Sequence, residues 1–174
     1  MTLIEVMVAT VVIAIGLLGV AALQVSALQG ASNADYRSKA IDFGSALADR
    51  MHANLMAFDV DDNFDNAYTP AVAINCETPP AAVCAMTPTM TSTAGISECN
   101  PTQMAAYDLQ EISCGEGLAS LPDGWINISC LDNDTADADD CTILSPMLIT
   151  VSWDLQSDDN ATEQVVLTVV PGAP

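Results

Sequence analysis

The sequence predicts an α+β protein in which one long N-terminal α-helix packs on a small antiparallel β-sheet head stabilised by disulfides. Three observations predict this fold class. The first 57 residues contain no proline, three later segments alternate apolar with polar side chains, and all six cysteines follow residue 75. Alternation with a period of two is typical of strands with one buried face, and a helix is needed to cover that face.

The N-terminal helix has two parts with different surfaces. We expect residues 1–30 to form a hydrophobic polymerisation or transmembrane helix, residues 31–58 to continue it as an amphipathic helix, and residues 59–174 to form the globular head. An apolar stripe at helical spacing defines the second part. Its members are Tyr36, Ala40, Phe43, Leu47, Met51 and Leu55. We expect this stripe to pack on the head and Arg50 to lie off it.

Glu5 is the only charged side chain among the first 34 residues. An ionised carboxylate in an apolar medium costs many kcal/mol unless a cation pairs with it. The α-amino group of Met1, from the same chain or from the next copy, is the nearest suitable cation. The apolar residues 6–23 are long enough to cross a bilayer as a helix, or to pack against sister helices. These features indicate a homopolymer with Met1 and Glu5 as assembly residues.

A short helix is predicted after residue 100. Asn100 is a favourable N-cap and Pro101 suits a first helical turn, so the helix begins there and continues to about Cys114. The glycines that follow are expected to end it. Leu121–Gly124 then contains the proline, aspartate and glycine of a turn.

Three segments near the C-terminus are predicted to be strands, because their apolar residues alternate with polar ones. They lie within residues 126–130, 147–155 and 165–169. Residues 157–160 are polar and are expected to form the hairpin loop between the last two strands. We expect both tryptophans, Trp125 and Trp153, to be core aromatics.

The cysteines indicate an oxidising compartment. They are Cys76, Cys84, Cys99, Cys114, Cys130 and Cys141. An even number confined to one region predicts three disulfides, and six cysteines allow 15 pairings that the sequence leaves open. No Cys-X-X-Cys motif is present in the sequence, and His52 is its single histidine, so we expect no zinc or haem cofactor.

The formal net charge is −20, and all three basic residues precede residue 51. Such an acidic head repels nucleic acid, so no nucleic-acid partner is expected. One acidic loop between Cys130 and Cys141 offers candidate calcium ligands, because Ca²⁺ takes six to eight oxygen ligands. These are Asp132, Asp134, Asp137 and Asp139. The alternative is a solvated acidic loop without a metal.

The N-terminal run Thr2-Leu3-Ile4-Glu5, followed by an apolar helix, resembles the start of mature type IV pilins and of type II secretion pseudopilins. Residues 106–124 and Ile149–Trp153 are similar to PilV-type pilins. The resemblance implies a pilin fold, cleavage by a prepilin peptidase, N-methylation of Met1, and recruitment into a filament through Glu5. It also implies an inner-membrane location before assembly and an extracellular pilus afterwards.

Three functions follow from these observations. The first is a structural subunit of an extracellular type IV pilus, with copies of itself, other pilins and the inner-membrane assembly machinery as partners. The second is a minor pilin or a type II secretion pseudopilin at a filament tip. The third is a membrane-anchored adhesin or calcium-binding module, which gives Glu5 no role. Because the sequence contains no catalytic Ser/His/Asp arrangement and no glycine-rich phosphate loop, we predict no enzymatic activity.

Overall fold

The computed structural model describes residues 2–58, 66–69, 74–78, 80–85, 95–115, 117–133, 141, 144–155 and 161–172. The chain divides into two compact units, Met1–Tyr36 and Arg37–Pro174. The first unit is helical throughout its described part beyond Thr2. The second unit contains the rest of the long helix and all of the other elements. The predicted loop at residues 157–160 lies outside the described residues.

Two α-helices, two short 3₁₀ turns and three strands make up the described secondary structure. Their bounds are α1 Leu3–Ala53, a 3₁₀ turn at Leu55–Phe58, α2 Pro101–Cys114, a 3₁₀ turn at Leu118–Ser120, β1 Trp125–Cys130, β2 Met147–Asp154 and β3 Thr162–Val169. The strands form one antiparallel sheet in the order β1-β2-β3. This arrangement confirms the predicted α+β fold.

The register of the sheet places the alternating apolar residues on one face. Three cross-strand rows form this face, namely Ile126–Val151–Val165, Ile128–Ile149–Leu167 and Cys130–Met147–Val169. Ala40, Leu47 and Met51 of α1 are fully buried. Gly44 lies between them, and a Cβ atom there would come within 2.5 Å of the Leu167 side chain. The second part of α1 therefore packs closely on β3, and the stripe and the sheet share one core.

Helix α2 begins as the sequence predicts. The Asn100 side chain accepts a hydrogen bond from Gln103 N at 2.8 Å, and Asn100 N donates to Gln103 Oε1 at 3.1 Å. This reciprocal pair is a capping box, which satisfies two amide groups at the start of the helix. Gly115 adopts an extended conformation and its N–H bonds the carbonyl of Glu111, which ends the helix.

Two residues assigned to the core from sequence are exposed instead. Leu55 is 46% exposed, and Ala57 is buried in its place. The reason is that α1 ends at Ala53, and the next turn is a 3₁₀ helix, whose three residues per turn change the direction of each side chain. Trp125 is 50% exposed, because it precedes Ile126 in β1 and so points to the opposite face of the sheet. Trp153 is fully buried, as predicted.

Candidate functional site

The Glu5 carboxylate folds back onto the start of α1. Thr2 N donates to Glu5 Oε2 at 3.4 Å, and Glu5 N donates to Thr2 O at 3.0 Å. An acidic group in the first turn is favoured by the helix dipole and by the unpaired amides there. Glu5 is exposed. Met1 lies outside the described residues, so its pairing with Glu5 and its N-methylation stay predictions.

The surface of α1 in the first unit is a continuous apolar area. Every residue from Thr2 to Ser32 is exposed, and residues 6–34 contain no charged side chain. By length and composition α1 is able to cross a membrane, and it is the single such helix in the described part of the chain. An exposed apolar area of this extent marks an interaction with lipid or with another protein.

Three glycines, Gly16, Gly19 and Gly30, interrupt the bulk of this apolar surface. Gly16 and Gly19 lie three residues apart and therefore on adjacent positions of one helix face. A Cβ atom at either position would meet nothing within 4 Å, so each leaves open space on the helix surface. Small residues of this kind allow two helices to approach closely.

A cluster of charged and polar side chains joins α1 to α2 within the second unit. Arg50 Nη1 lies 2.9 Å from Asp108 Oδ1 and 3.1 Å from Glu111 Oε2. Tyr68 Oη donates to the other carboxylate oxygen, Asp108 Oδ2, at 2.9 Å. Asn54 Nδ2 lies 3.3 Å from Tyr68 Oη and donates to Pro101 O at 2.8 Å. We call Arg50, Asn54, Tyr68, Asp108 and Glu111 the Arg50 cluster.

Sequence reasoning missed this cluster. Arg50 lies off the apolar stripe as expected, yet only a third of its side chain is exposed, and Asp108 is 5% exposed as a residue. Burial alone lowers the pKa of Arg50, but the hydrogen bonds and charges of Glu111 and Asp108 outweigh it and raise that pKa. One signal was present in the sequence. Asp108 and Glu111 are three residues apart on α2, which places both carboxylates on one side of the helix.

Tyr68 gives the Arg50 cluster a measurable pH dependence. The pKa of its hydroxyl is raised well above the ordinary 10.0, first by burial and then by the adjacent Asp108 carboxylate. Because the folded pKa exceeds the unfolded one, this contribution to stability is complete below about pH 10 and is lost as the pH rises further. Burial also raises the pKa of Tyr107, so part of the loss of stability at high pH comes from that residue.

We therefore expect Tyr68→Phe to flatten the fall in the free energy of unfolding as the pH rises above about 10. At neutral pH the same change should cost about 1.5–3 kcal/mol, since a hydrogen bond to a charged carboxylate is lost. Denaturant unfolding of the full chain in neutral detergent at several pH values measures both effects. Tyr36→Phe is the matched control, and an equal flattening in that variant would contradict the assignment to Tyr68.

Three disulfides fix the segments around α2 and the sheet. The pairs are Cys76–Cys114, Cys84–Cys99 and Cys130–Cys141. The first ties residues 74–78 to the C-terminal end of α2, and Gln110 Nε2 reinforces this contact by donating to Asn75 O at 3.1 Å. All six cysteines are therefore paired. The structure thereby selects one of the 15 pairings that the sequence left open.

The disulfides should differ in their contribution to stability. Cys76–Cys114 closes a loop with a sequence separation of 38 residues, and Cys130–Cys141 closes one of 11. Loop-closure entropy predicts a loss of about 4 kcal/mol for the first and about 3 kcal/mol for the second when both cysteines of a pair become alanine. Urea unfolding of the two double variants measures the order. A larger loss for the Cys130–Cys141 pair would contradict this order.

The comparison with known families decides the class of protein. Residues 22–110 match the model of a family described as Tt1218-like, Type IV pilin Tt1218. The match covers just over half of the chain. The chain belongs to this family of type IV pilins. No curated protein and no solved structure matches this pilin.

The family match shows that the chain is a pilin-type structural subunit. The matched region contains the second part of α1 and reaches Asp108 in α2, so it includes most of the Arg50 cluster. The PilV-type subgroup suggested by the sequence stays a prediction.

The candidate calcium ligands of this pilin are only partly described. Asp134, Asp137 and Asp139 lie outside the described residues. Asp132 Oδ1 lies 3.4 Å from Ser145 Oγ, and Ser145 Oγ accepts a hydrogen bond from Asn133 N at 2.9 Å. Among the described side chains, no three of the metal-binding types are grouped around a common point. Calcium binding therefore stays a prediction.

Proposed function

We propose that this pilin is a structural subunit of an extracellular type IV pilus, and that it assembles by packing residues 3–30 of α1 against the same segment of other copies. One observation carries the proposal. The surface from Val6 to Ser32 is exposed in the single chain and has no charged side chain. Burial of apolar surface contributes about 25 cal/mol of free energy for each Å² removed from water. A partner that covers this helix therefore stabilises it by removing its apolar surface from water.

Glu5 gives that packing a specific register. In a core of apolar helices its carboxylate needs a cation, and the described part of the first unit contains none. We propose that the α-amino group of Met1 from a neighbouring copy supplies it. The 3.4 Å contact with Thr2 N leaves most of the acceptor capacity of the carboxylate available, which supports this role.

The same helix holds the subunit in the inner membrane before assembly. On this proposal a prepilin peptidase releases the mature N-terminus, Met1 is N-methylated, and the assembly machinery then transfers α1 from lipid to the filament. Both surroundings are apolar, so the transfer exposes little apolar surface to water. Other pilins can join the same filament through equivalent helices.

Filaments sheared from cells provide the test. We expect electron microscopy to show long thin filaments, and mass spectrometry to find this chain as their main protein with a methylated Met1. Trace amounts in such filaments would contradict the proposal and would favour a minor pilin or a secretion pseudopilin at a tip. Complete absence, with the chain retained in the membrane, would favour an anchored adhesin.

A further inference from the structure

A cavity of about 470 Å³ runs along the edge of the sheet at β1. Five consecutive residues, Gly124–Ile128, contribute to its lining. Successive side chains of a strand point to opposite faces, and Trp125 and Asn127 indeed point away from the core face that carries Ile126 and Ile128. Since residues from both faces line the same cavity, the cavity follows the strand edge and does not lie on one face.

That edge has no strand beside it in the described part of the chain, because β1 pairs only with β2. An unpaired edge offers backbone N–H and C=O groups to another extended chain. Across the cavity, α2 contributes Ser113, whose Oγ is buried without a hydrogen-bond partner. The cavity therefore lies between α2 and the unpaired backbone of β1.

The distribution of charge around the cavity indicates which kind of segment can bind there. No described lining residue is charged, although the chain has a net charge of −20. Two exposed carboxylates adjoin the lining, since Glu77 follows Cys76 and Asp123 precedes Gly124. An occupant with apolar central side chains and basic flanks is complementary to this pattern. A second copy does not fit, because all Lys and Arg residues of this chain lie in α1 and none is in an extended segment.

We propose that the β1 edge and its cavity bind an extended segment of a different protein by strand addition, with uncharged side chains in the cavity and Lys or Arg at its flanks. The site lies wholly within the second unit and does not depend on filament assembly. Long-range attraction to the acidic chain increases the association rate of such a cationic segment.

The probe is a synthetic peptide, Lys-Val-Thr-Leu-Thr-Val-Lys with both termini blocked, titrated into the full chain in neutral detergent. We expect a Kd of about 1 mM or tighter at low salt. The largest amide shifts should fall at Gly124–Ile128, and binding should weaken with added salt. Trp125→Ala should weaken binding about fivefold or more, since an exposed aromatic lining residue is removed. Val166→Ala is the matched control, because Val166 is 48% exposed on β3 and outside the cavity.

A second pair of variants tests the charge argument. Asp123→Asn keeps the left-handed backbone at this position, where φ is 44°, and should weaken binding at low salt. Asp42→Asn removes the same charge from an exposed position on α1 and should have no effect. No detectable binding, binding unchanged by Trp125→Ala, or equal binding of a peptide with Glu flanks would each overturn the proposal.

Discussion

Replacing Glu5 with alanine is expected to reduce incorporation of the subunit into filaments by about 100-fold or more. Removing one partner of a buried ion pair typically costs about 3–5 kcal/mol, and 1.4 kcal/mol corresponds to a tenfold change. The loss arises because the Met1 amine of the neighbouring copy would stay charged and unpaired among apolar helices. Quantitative mass spectrometry of sheared filaments, relative to the amount of chain in the membrane, measures it.

Thr10→Ala is the control within the same helix. Thr10 is exposed, and its hydroxyl bonds the carbonyl of Met7 in its own helix, so no partner outside the helix is needed. We expect this variant to enter filaments normally. We also expect Glu5→Ala to be retained in the membrane, because the apolar surface of α1 is unchanged. Normal incorporation of Glu5→Ala would contradict an assembly role for this carboxylate and would favour a simple membrane anchor.

The second large effect is expected at Arg50. Arg50→Ala leaves Asp108, which is almost fully buried, without its cation. We expect a loss of about 2–4 kcal/mol in the free energy of unfolding, slightly below the usual cost of breaking a fully buried pair, because a third of the Arg50 side chain is exposed. Urea unfolding of the full chain in neutral detergent, followed by near-ultraviolet circular dichroism, measures this loss.

Arg37→Ala removes the same charge from an exposed position of the same helix and should change stability by less than about 0.5 kcal/mol. Arg50→Lys should recover only part of the loss, since the lysine side chain is one bond shorter than the path to Arg50 Nη1, the atom that contacts both Asp108 and Glu111. An effect of Arg50→Ala no larger than that of Arg37→Ala would contradict the importance of the Arg50 cluster.

The strands and α2 could be predicted because their signals are local. Alternation in Met147–Asp154 follows directly from a sheet with one buried face, and the register confirms it. The helix start at Asn100 and Pro101 depends on two neighbouring residues whose preferences agree. Such features need no knowledge of distant parts of the chain.

The sequence-based predictions were wrong or incomplete where tertiary contacts determine the burial or the partner of a residue. Leu55 fits the helical stripe, but the change to a 3₁₀ turn after Ala53 exposes it. Trp125 was assigned to the core by residue type, although its position in β1 places it on the opposite face. Arg50 meets Asp108 across 58 residues of sequence, and no local pattern identifies that pairing. The disulfide partners are likewise set by the fold, because the spacing of the cysteines allows every combination.

The assembly residues represent a different situation. The lone carboxylate at Glu5 and the uncharged segment after it are explicit in the sequence, and the exposed surface of α1 agrees with an interaction role. The partner of that surface belongs to another molecule. The structure of a single chain therefore identifies the apolar surface that needs a partner. Experiments on the filament identify that partner.

Cryo-electron microscopy of the native filament tests the central claim most directly. We expect residues 3–30 of neighbouring copies to pack together in the filament core, with the Glu5 carboxylate within about 4 Å of the Met1 nitrogen of another copy. A filament in which this segment faces solvent, or in which no amine of another copy approaches Glu5, would contradict the proposed mode of assembly.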